Sequence, residues 1–211
     1  MFHFTTLFRL IYRPILLVIA AFGIPACGGG GGSGVPPFTP ITPTILLSDN
    51  WSSGASANWT IVTASATVDN ATGNPAGSML VNAGGGATAQ VKTVPFSRNI
   101  GITISIDVSP GTSNGIFCII DNVTPAPINT YASIVNNQVL FAIGAVSGTV
   151  PFTNDGLYHR FTFKASGTGS ATWSRDGVTH LTGAYTVSSI YVLLQDTASG
   201  THFDNALITR P

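Results

Sequence analysis

The stretch Ile100-Gly101-Ile102-Thr103-Ile104-Ser105-Ile106-Asp107-Val108 decides the fold class. Apolar residues occupy every second position, and small or polar residues fill the positions between them. Successive side chains of a strand point to opposite faces, so this alternation predicts a strand with one buried face. No segment from residue 45 onward shows a sustained apolar stripe at the period of a helix. The pattern therefore predicts an all-β domain.

Similar alternating segments continue along the chain. They predict strands at residues 131–135, 139–143, 157–165, 171–174, 178–182, 190–195 and 202–209. Clusters of Gly, Pro, Asn, Asp and Ser separate these segments, and Arg175-Asp176-Gly177 is typical of a tight hairpin turn. Many strands without a helix favour two packed antiparallel sheets, which predicts a jelly-roll sandwich.

The N-terminus has the features of a secretory leader. Arg9 and Arg13 precede an uncharged stretch at residues 14–26. This stretch has a length that suits a signal peptide but is too short to span a bilayer. Residues 27–44 are rich in Gly and Pro, as in a flexible spacer. The sequence therefore predicts a signal peptide at 1–26, a Gly/Pro tether at 27–44 and a β-sandwich at 45–211.

The segment Ile24-Pro25-Ala26-Cys27-Gly28 resembles the lipobox of bacterial lipoproteins. The resemblance implies cleavage before Cys27 and attachment of lipid to its sulfur, so Cys27 is the expected lipidation site. A spacer directly after an anchored residue agrees with this interpretation. The implied location is the cell envelope of an exported protein that is held to the membrane by its N-terminal lipid. Gly28 after the cysteine is compatible with anchoring in the outer membrane.

The composition argues against a nucleic-acid partner. Only 8% of the residues are charged, far below the roughly 25% of ordinary soluble domains. Without residues 1–26 the chain carries six basic side chains and eight acidic ones, so it has no basic patch to bind phosphates. All eight acidic residues are aspartates.

Three parts of the sequence resemble the concanavalin A-like lectin/glucanase superfamily, which includes laminin-G-like domains. The opening segment 49–54 with Trp59 is similar to the entry strand of these domains. The segment 156–163, followed by a strand and the Asp176-Gly177 turn, resembles their aromatic-histidine strand and hairpin. Phe203-Asp204-Asn205-Ala206-Leu207-Ile208 is similar to their closing strand. The resemblance implies a two-sheet sandwich over residues 45–209.

This superfamily contains glycan-binding lectins, protein-binding modules and glycoside hydrolases, so the fold alone leaves the function open. Its hydrolases resemble retaining enzymes, which need a closely spaced pair of carboxylates and usually take them from glutamates on one strand. This chain has no glutamate, and its most closely spaced aspartates, Asp196 and Asp204, are eight residues apart. Gly111-Thr112-Ser113-Asn114-Gly115 matches a nucleophile elbow, but no helix is predicted after it, and a hairpin loop is the better interpretation. We therefore expect a non-catalytic recognition domain.

Carbohydrate is the leading ligand class that the resemblance implies. A sugar site needs an exposed aromatic ring beside polar groups, and the candidates are Trp51, Trp59, Tyr131, Trp173 and Asp176. Core packing is the alternative role for each of these rings. The alternatives for the whole domain are a structural or protein-binding envelope component and, third, a glycoside hydrolase.

A structural calcium ion is the one cofactor that the resemblance implies, with Asp49 and Asp204 as its oxygen ligands. Two hydrogen-bonding aspartates are the alternative interpretation. His159, His180 and His202 are too widely spaced for a local zinc motif, and we interpret them as ordinary half-buried histidines.

The lipobox interpretation predicts the fate of one variant. Replacing Cys27 by serine removes the thiol that would accept the lipid, so we expect an uncleaved precursor that carries no lipid. Metabolic labelling with a radioactive fatty acid and the electrophoretic mobility of the protein measure both effects. A Cys27→Ser variant that is processed like the unchanged protein would show that the signal was misidentified.

Overall fold

The computed structural model describes residues 42–54, 56–63, 66–73, 76–82, 88–97, 101–110, 115–121, 130–197 and 200–211, with only the backbone described at 115–121. These residues lie within one compact unit, Pro40–Pro211. Cys27 and the predicted signal peptide lie outside the described residues. In the described part of the chain, no helix is long and apolar enough to cross a membrane.

The described residues form sixteen strands, numbered in chain order, in two antiparallel sheets. Sheet I contains β1 (Thr44–Asp49), β3 (Ala66–Gly73), β4 (Ala76–Val81), β7 (Gly101–Ser109), β12 (His159–Ser166), β13 (Ser170–Arg175), β14 (Val178–Ala184) and β16 (Thr201–Arg210). Sheet II contains β2 (Trp59–Ile61), β5 (Ala89–Thr93), β6 (Phe96–Ser97), β8 (Gly115–Asp121), β9 (Thr130–Val135), β10 (Gln138–Ile143), β11 (Val146–Pro151) and β15 (Ser189–Asp196).

The strand order within each sheet differs from the chain order. Sheet I runs β14-β13-β12-β7-β16-β4-β3, and β1 also pairs with β16. Sheet II runs β11-β10-β9-β8-β15-β5-β2, and β6 also pairs with β15. Because neighbouring strands are often distant in sequence, the chain crosses repeatedly between the sheets, as in a β-sandwich. The predicted all-β, two-sheet sandwich is confirmed.

Alternating side chains build the core. From sheet I, Ile102, Ile104 and Ile106 of β7 are at most 2% exposed. From sheet II, Ile190, Val192 and Leu194 of β15 are at most 1% exposed. The core is therefore formed where the apolar faces of the two sheets meet, as the alternation predicts.

Trp173 joins the two sheets through a directional contact. Its ring is completely buried and packs on Phe163 of sheet I at 5.0 Å and on Phe141 of sheet II at 6.1 Å between ring centroids. Its indole Nε1 donates a hydrogen bond of 2.9 Å to the carbonyl oxygen of Ala142 in β10. A buried indole N–H that lacks an acceptor is costly, so this bond favours one alignment of the sheets.

Tight turns follow the sequence signals. Asp176 and Gly177 both have positive φ angles, 50° and 81°, as the predicted hairpin between β13 and β14 requires. Asn136 and Asn137 make the same kind of turn between β9 and β10, with φ angles of 50° and 61°. The predicted turn at Asp176-Gly177 is confirmed.

The loop after β1 depends on one glycine. Gly77 in β4 has a φ of +120°, and a Cβ atom at this position would lie 2.6 Å from the Cα of Ser52. The close approach holds the neighbouring Trp51 in the core, where its ring lies 5.3 Å from that of Trp59. A side chain at position 77 would displace this loop.

The interpretation of Gly111 to Gly115 as a hairpin loop is wrong. The preceding strand β7 belongs to sheet I, whereas the following strand β8 belongs to sheet II. β7 and β8 therefore do not pair as a hairpin, and residues 111–114 between them lie outside the described residues. The chain continues from Gly115 as a strand and not as a helix, so it lacks the strand-to-helix turn of a nucleophile elbow.

His180 in β14 makes the stability of the fold depend on pH. Its ring stacks on Phe141 at 5.4 Å, and burial, followed by the charge of Arg175, lowers the pKa of His180 below 6.5. The neutral imidazole is therefore favoured in the folded state. Its contribution to stability is complete above pH 6.5 and is lost as the pH falls through the lower pKa of the folded protein.

We expect a His180→Phe variant, which keeps a ring on Phe141 but cannot take up a proton, to lose less stability between about pH 7 and pH 5 than the unchanged protein. Urea unfolding followed by circular dichroism at both pH values measures the difference. An equal loss of unfolding free energy in the two proteins would contradict this role of His180.

Candidate functional site

The outer face of sheet II carries an apolar cluster that is separate from the core. Leu193 of β15 is its centre and is only 6% exposed, although its neighbours Val192 and Leu194 face the core. The half-buried rings of Tyr131 and Tyr191 pack against it. We call these three residues the tyrosine platform. Apolar side chains on the outer face of a sheet indicate a surface that contacts something other than water.

Amide groups lie beside the tyrosine platform. Gln195, two residues after Leu193 on the same face of β15, accepts a hydrogen bond of 3.0 Å from the Nε2 of Gln90 in β5. This bond uses the carbonyl of one amide and the amino group of the other. The amino group of Gln195 and the carbonyl of Gln90 are groups that can bind the hydroxyls of a ligand.

Lys92 completes the edge of the platform. It is exposed, and its Nζ atom lies 5.5 Å from the centroid of the Tyr191 ring. Lys92, Leu193, position 118 and Tyr131 are register partners on four successive strands. Three strand spacings separate Lys92 from Tyr131, or about 14 Å. The row is long enough for a short oligosaccharide.

The structure places one of the sequence-predicted aromatic candidates on the outer face of sheet II and the other three in the core. Tyr131 lies on the platform. Trp51 and Trp173 are 0% exposed and Trp59 is 7% exposed, and all three belong to the core. These three tryptophans therefore cannot form an exposed sugar-binding surface, which corrects the expectation for them. Their large apolar rings gain more from burial between the sheets.

Asp176 also has a structural role. Its Oδ1 accepts the backbone N–H of Arg160 at 2.9 Å, and its Oδ2 lies 2.9 Å from Nδ1 of His159. It lies in the turn after β13 of sheet I, so it does not belong to the tyrosine platform.

Sequence reasoning missed two of the three residues of the tyrosine platform, Tyr191 and Leu193. It also missed the residues beside the platform, which are Gln90, Gln195 and Lys92. One signal was present, because β15 has large apolar residues in both alternating sets, whereas a solvent-facing set is usually polar. Gln90 and Gln195 are 105 residues apart, so only the strand pairing brings them together.

The outer face of sheet I carries charged side chains, whereas the outer face of sheet II carries the apolar tyrosine platform. Asp69 is the register partner of Ser78, and Asp107 is the register partner of both Asp204 and Arg160. The chain neighbours of Ser78 and Asp204, Met79 and Phe203, are also register partners, so the five residues lie in a row across five strands. Arg160 donates two hydrogen bonds, of 2.7 and 2.9 Å, to the carboxylate of Asp107. Asn205 donates a third to the same carboxylate, at 3.0 Å.

Asp107 and Asp204 are register partners, so two aspartates do meet across strands. A retaining glycosidase uses two carboxylates about 5–5.5 Å apart. Asp204, however, is completely buried, and both oxygens of Asp107 are bound by Arg160. Neither carboxylate is placed to reach a glycosidic bond on the surface.

Tyr158 lies among these carboxylates. Burial is the largest influence and raises the pKa of Tyr158. The nearby Ser78 hydroxyl is second in size and lowers this pKa, and the negative charges of Asp204, Asp69 and Asp107 add smaller increases. The hydroxyls of Tyr158 and Ser78 are close but do not meet in hydrogen-bond geometry. A phenol in this acidic environment stays neutral, which agrees with a structural role.

The proposed calcium ligands do not form a complete site. Asp49 uses Oδ1 to accept the N–H of Trp51 at 2.9 Å, while its Oδ2 is buried without a partner. Asp204 uses Oδ1 to accept the N–H of Asn205 at 2.7 Å. Arg160 lines the depression of about 340 Å³ beside Asp49, and its positive charge opposes the binding of a cation there.

The histidines do not converge on a metal site either. His159 lies between Asp155 and Asp176, His202 contacts Asp69 at 3.1 Å, and His180 stacks on Phe141. Among the described residues, no group of three or more His, Cys, Asp or Glu side chains is arranged to hold a metal ion. The described side chains therefore do not fit calcium by themselves.

Comparison with known proteins gives structural neighbours only. No family model matches the sequence, and no curated protein matches it. The globular domain of Trypanosoma cruzi calreticulin superimposes with a TM-score of 0.54 and 10% identity, over 80% of this chain and 88% of that one. The carbohydrate recognition domain of Emp47p gives a TM-score of 0.55 and 9% identity, over 74% of this chain and 89% of the other.

A third neighbour is a GH16 protein of Bacteroides ovatus in complex with a G4G4G3G product. Its TM-score is 0.54 with 13% identity, over 79% of this chain and 99% of that chain. The superpositions on these neighbours support the β-sandwich fold of this chain. At such low identity the likeness shows the fold alone.

The incomplete calcium site leads to a prediction for thermal stability. We expect the melting temperatures in 5 mM calcium chloride and in EDTA to agree within about 1 °C, because Arg160 and the two hydrogen-bonded aspartates leave few ligands for a cation. Differential scanning calorimetry of the full chain measures this. A calcium-dependent increase of about 4 °C or more that disappears in Asp204→Asn would contradict it.

Proposed function

We propose that this protein is an exported lipoprotein of the cell envelope whose β-sandwich domain binds carbohydrate without cleaving it. Cys27 anchors the protein in the outer membrane through its lipid, and the Gly/Pro tether separates the domain from the membrane. The tyrosine platform on the outer face of sheet II binds the glycan.

One observation carries the proposal: two tyrosine rings and a leucine form an apolar cluster outside the core, directly beside a pair of amides. Sugar rings have an apolar face and a rim of hydroxyls. A partly exposed aromatic ring matches the apolar face, and amide groups match the hydroxyls. Among the structural neighbours, the Emp47p domain is called a carbohydrate recognition domain.

The chemistry of the described carboxylates favours binding over hydrolysis. The aspartates that meet, Asp107 and Asp204, are occupied or buried, and they lie on sheet I rather than beside the tyrosine platform. A glycoside hydrolase is therefore the third alternative, behind a structural or protein-binding envelope component. The protein-binding alternative uses the same apolar surface but does not need the amide pair.

The proposal predicts the effect of shortening one ring. Tyr131→Ala removes a half-buried ring from the platform without touching the core, so we expect binding to oligosaccharides to weaken by about tenfold. A glycan array with the full chain identifies a bound oligosaccharide, and isothermal titration calorimetry then compares the variants.

Leu157→Ala is the matched control. Leu157 is 62% exposed but lies in the loop before β12 of sheet I, so its replacement should leave binding unchanged. Circular dichroism checks that both variants keep the strand content of the unchanged protein. The carbohydrate proposal is refuted if the array shows no bound glycan, and the assignment of the site is refuted if Tyr131→Ala binds as tightly as the unchanged protein.

A further inference from the structure

The two outer faces of the sandwich differ in their charged side chains: sheet I carries aspartates together with Arg160 and Lys164, whereas sheet II carries Lys92. On sheet I the row across the strands contains Asp69, Asp107 and Asp204. On sheet II no described carboxylate lies on the outer face: Asp196 of β15 faces inward and binds Gly200 and Thr201.

Lys92 therefore has no counterion among the described residues of the candidate binding face. It forms no ion pair with any described residue, and the contact recorded for its ammonium group is the Tyr191 ring. Arg160, in contrast, is paired with Asp107 at 2.7 Å. An exposed ammonium over one ring adds little to the stability of the fold, so Lys92 is free to serve a ligand.

Binding changes the environment of this ammonium group. A glycan that covers the tyrosine platform and the Gln90–Gln195 pair also covers Lys92, which lies in the same row as Leu193. A neutral sugar removes water from the ammonium group and offers only partial compensation through its hydroxyls. An anionic group on the sugar compensates the charge and forms a charge-assisted hydrogen bond.

We propose that the tyrosine platform selects glycans that carry anionic groups, and that Lys92 is the residue that sets this preference. The inference rests on the carbohydrate-binding function proposed above. Lysine presents a compact positive charge rather than a planar fork, so carboxylate and sulfate groups share the chemistry that it recognises.

The test compares matched charged and neutral probes with the full chain in isothermal titration calorimetry. Oligogalacturonate is compared with its methyl ester, and dextran sulfate with dextran. We expect at least one charged probe to bind about tenfold more tightly than its neutral counterpart and to weaken as the salt concentration rises. The carboxylate and sulfate pairs show which anion the site prefers.

Variants of two lysines then assign the effect. Lys92→Gln should remove the preference for the charged probe, while Lys92→Arg should keep most of it. Lys164→Gln is the control, since Lys164 is exposed on the outer face of sheet I and should leave the preference unchanged.

The possible failures are distinguishable. Equal binding of charged and neutral probes, with loss of both in Tyr131→Ala, would overturn the anionic preference and leave the carbohydrate-binding function standing. A charge preference that survives in Lys92→Gln would overturn the role of Lys92. If no probe of either kind binds and the glycan array is also empty, both proposals fall.

Discussion

The hydrogen bond from the buried indole of Trp173 to the carbonyl oxygen of Ala142 fixes sheet I against sheet II. This hydrogen bond also affects the outer face of sheet II. Ala142 is the register partner of Tyr131, so the backbone that receives the bond also positions a ring of the tyrosine platform. The core and the candidate binding face are therefore coupled through one strand pair, β9 and β10.

Alternation along the strands separates three environments. The inward sets from both sheets form the core, the outward set of sheet I carries aspartates that pair with Arg160 and His202, and the described outward set of sheet II carries Tyr131, Tyr191 and Lys92. Because only 8% of the residues are charged, the positions of the charged side chains matter more for ligand specificity than their number. Arg160 pairs with Asp107 on sheet I. Lys92 has no counterion among the described residues, and it lies on the face that also carries Tyr131 and Tyr191.

The fold could be predicted from the sequence because its signal is local. The alternation in residues 100–108 and the Asp176-Gly177 turn each depend on neighbours in the chain, and β7 and the turn after β13 lie where they were expected. Pairing between strands is not local. For this reason the sequence around Gly111 to Gly115 suggests a hairpin loop, although the flanking strands β7 and β8 belong to different sheets.

The candidate site could be predicted only in part, and for a physical reason. A tryptophan suits both a buried core and a sugar-binding surface, so residue type alone could not show that Trp51, Trp59 and Trp173 are buried while Tyr131 is not. The amide pair of Gln90 and Gln195 depends on the pairing of β5 with β15. The outward-facing Leu193 was the visible local sign of the platform.

The central claim is that ligands bind the outer face of sheet II at the tyrosine platform. Nuclear magnetic resonance of the isotope-labelled full chain, titrated with an oligosaccharide that the glycan array identifies, tests it most directly. The account predicts that the amide signals of β5, β9 and β15 shift, while those of β12, β13 and β14 stay in place. Shifts that are confined to sheet I, or spread evenly over both sheets, would contradict it.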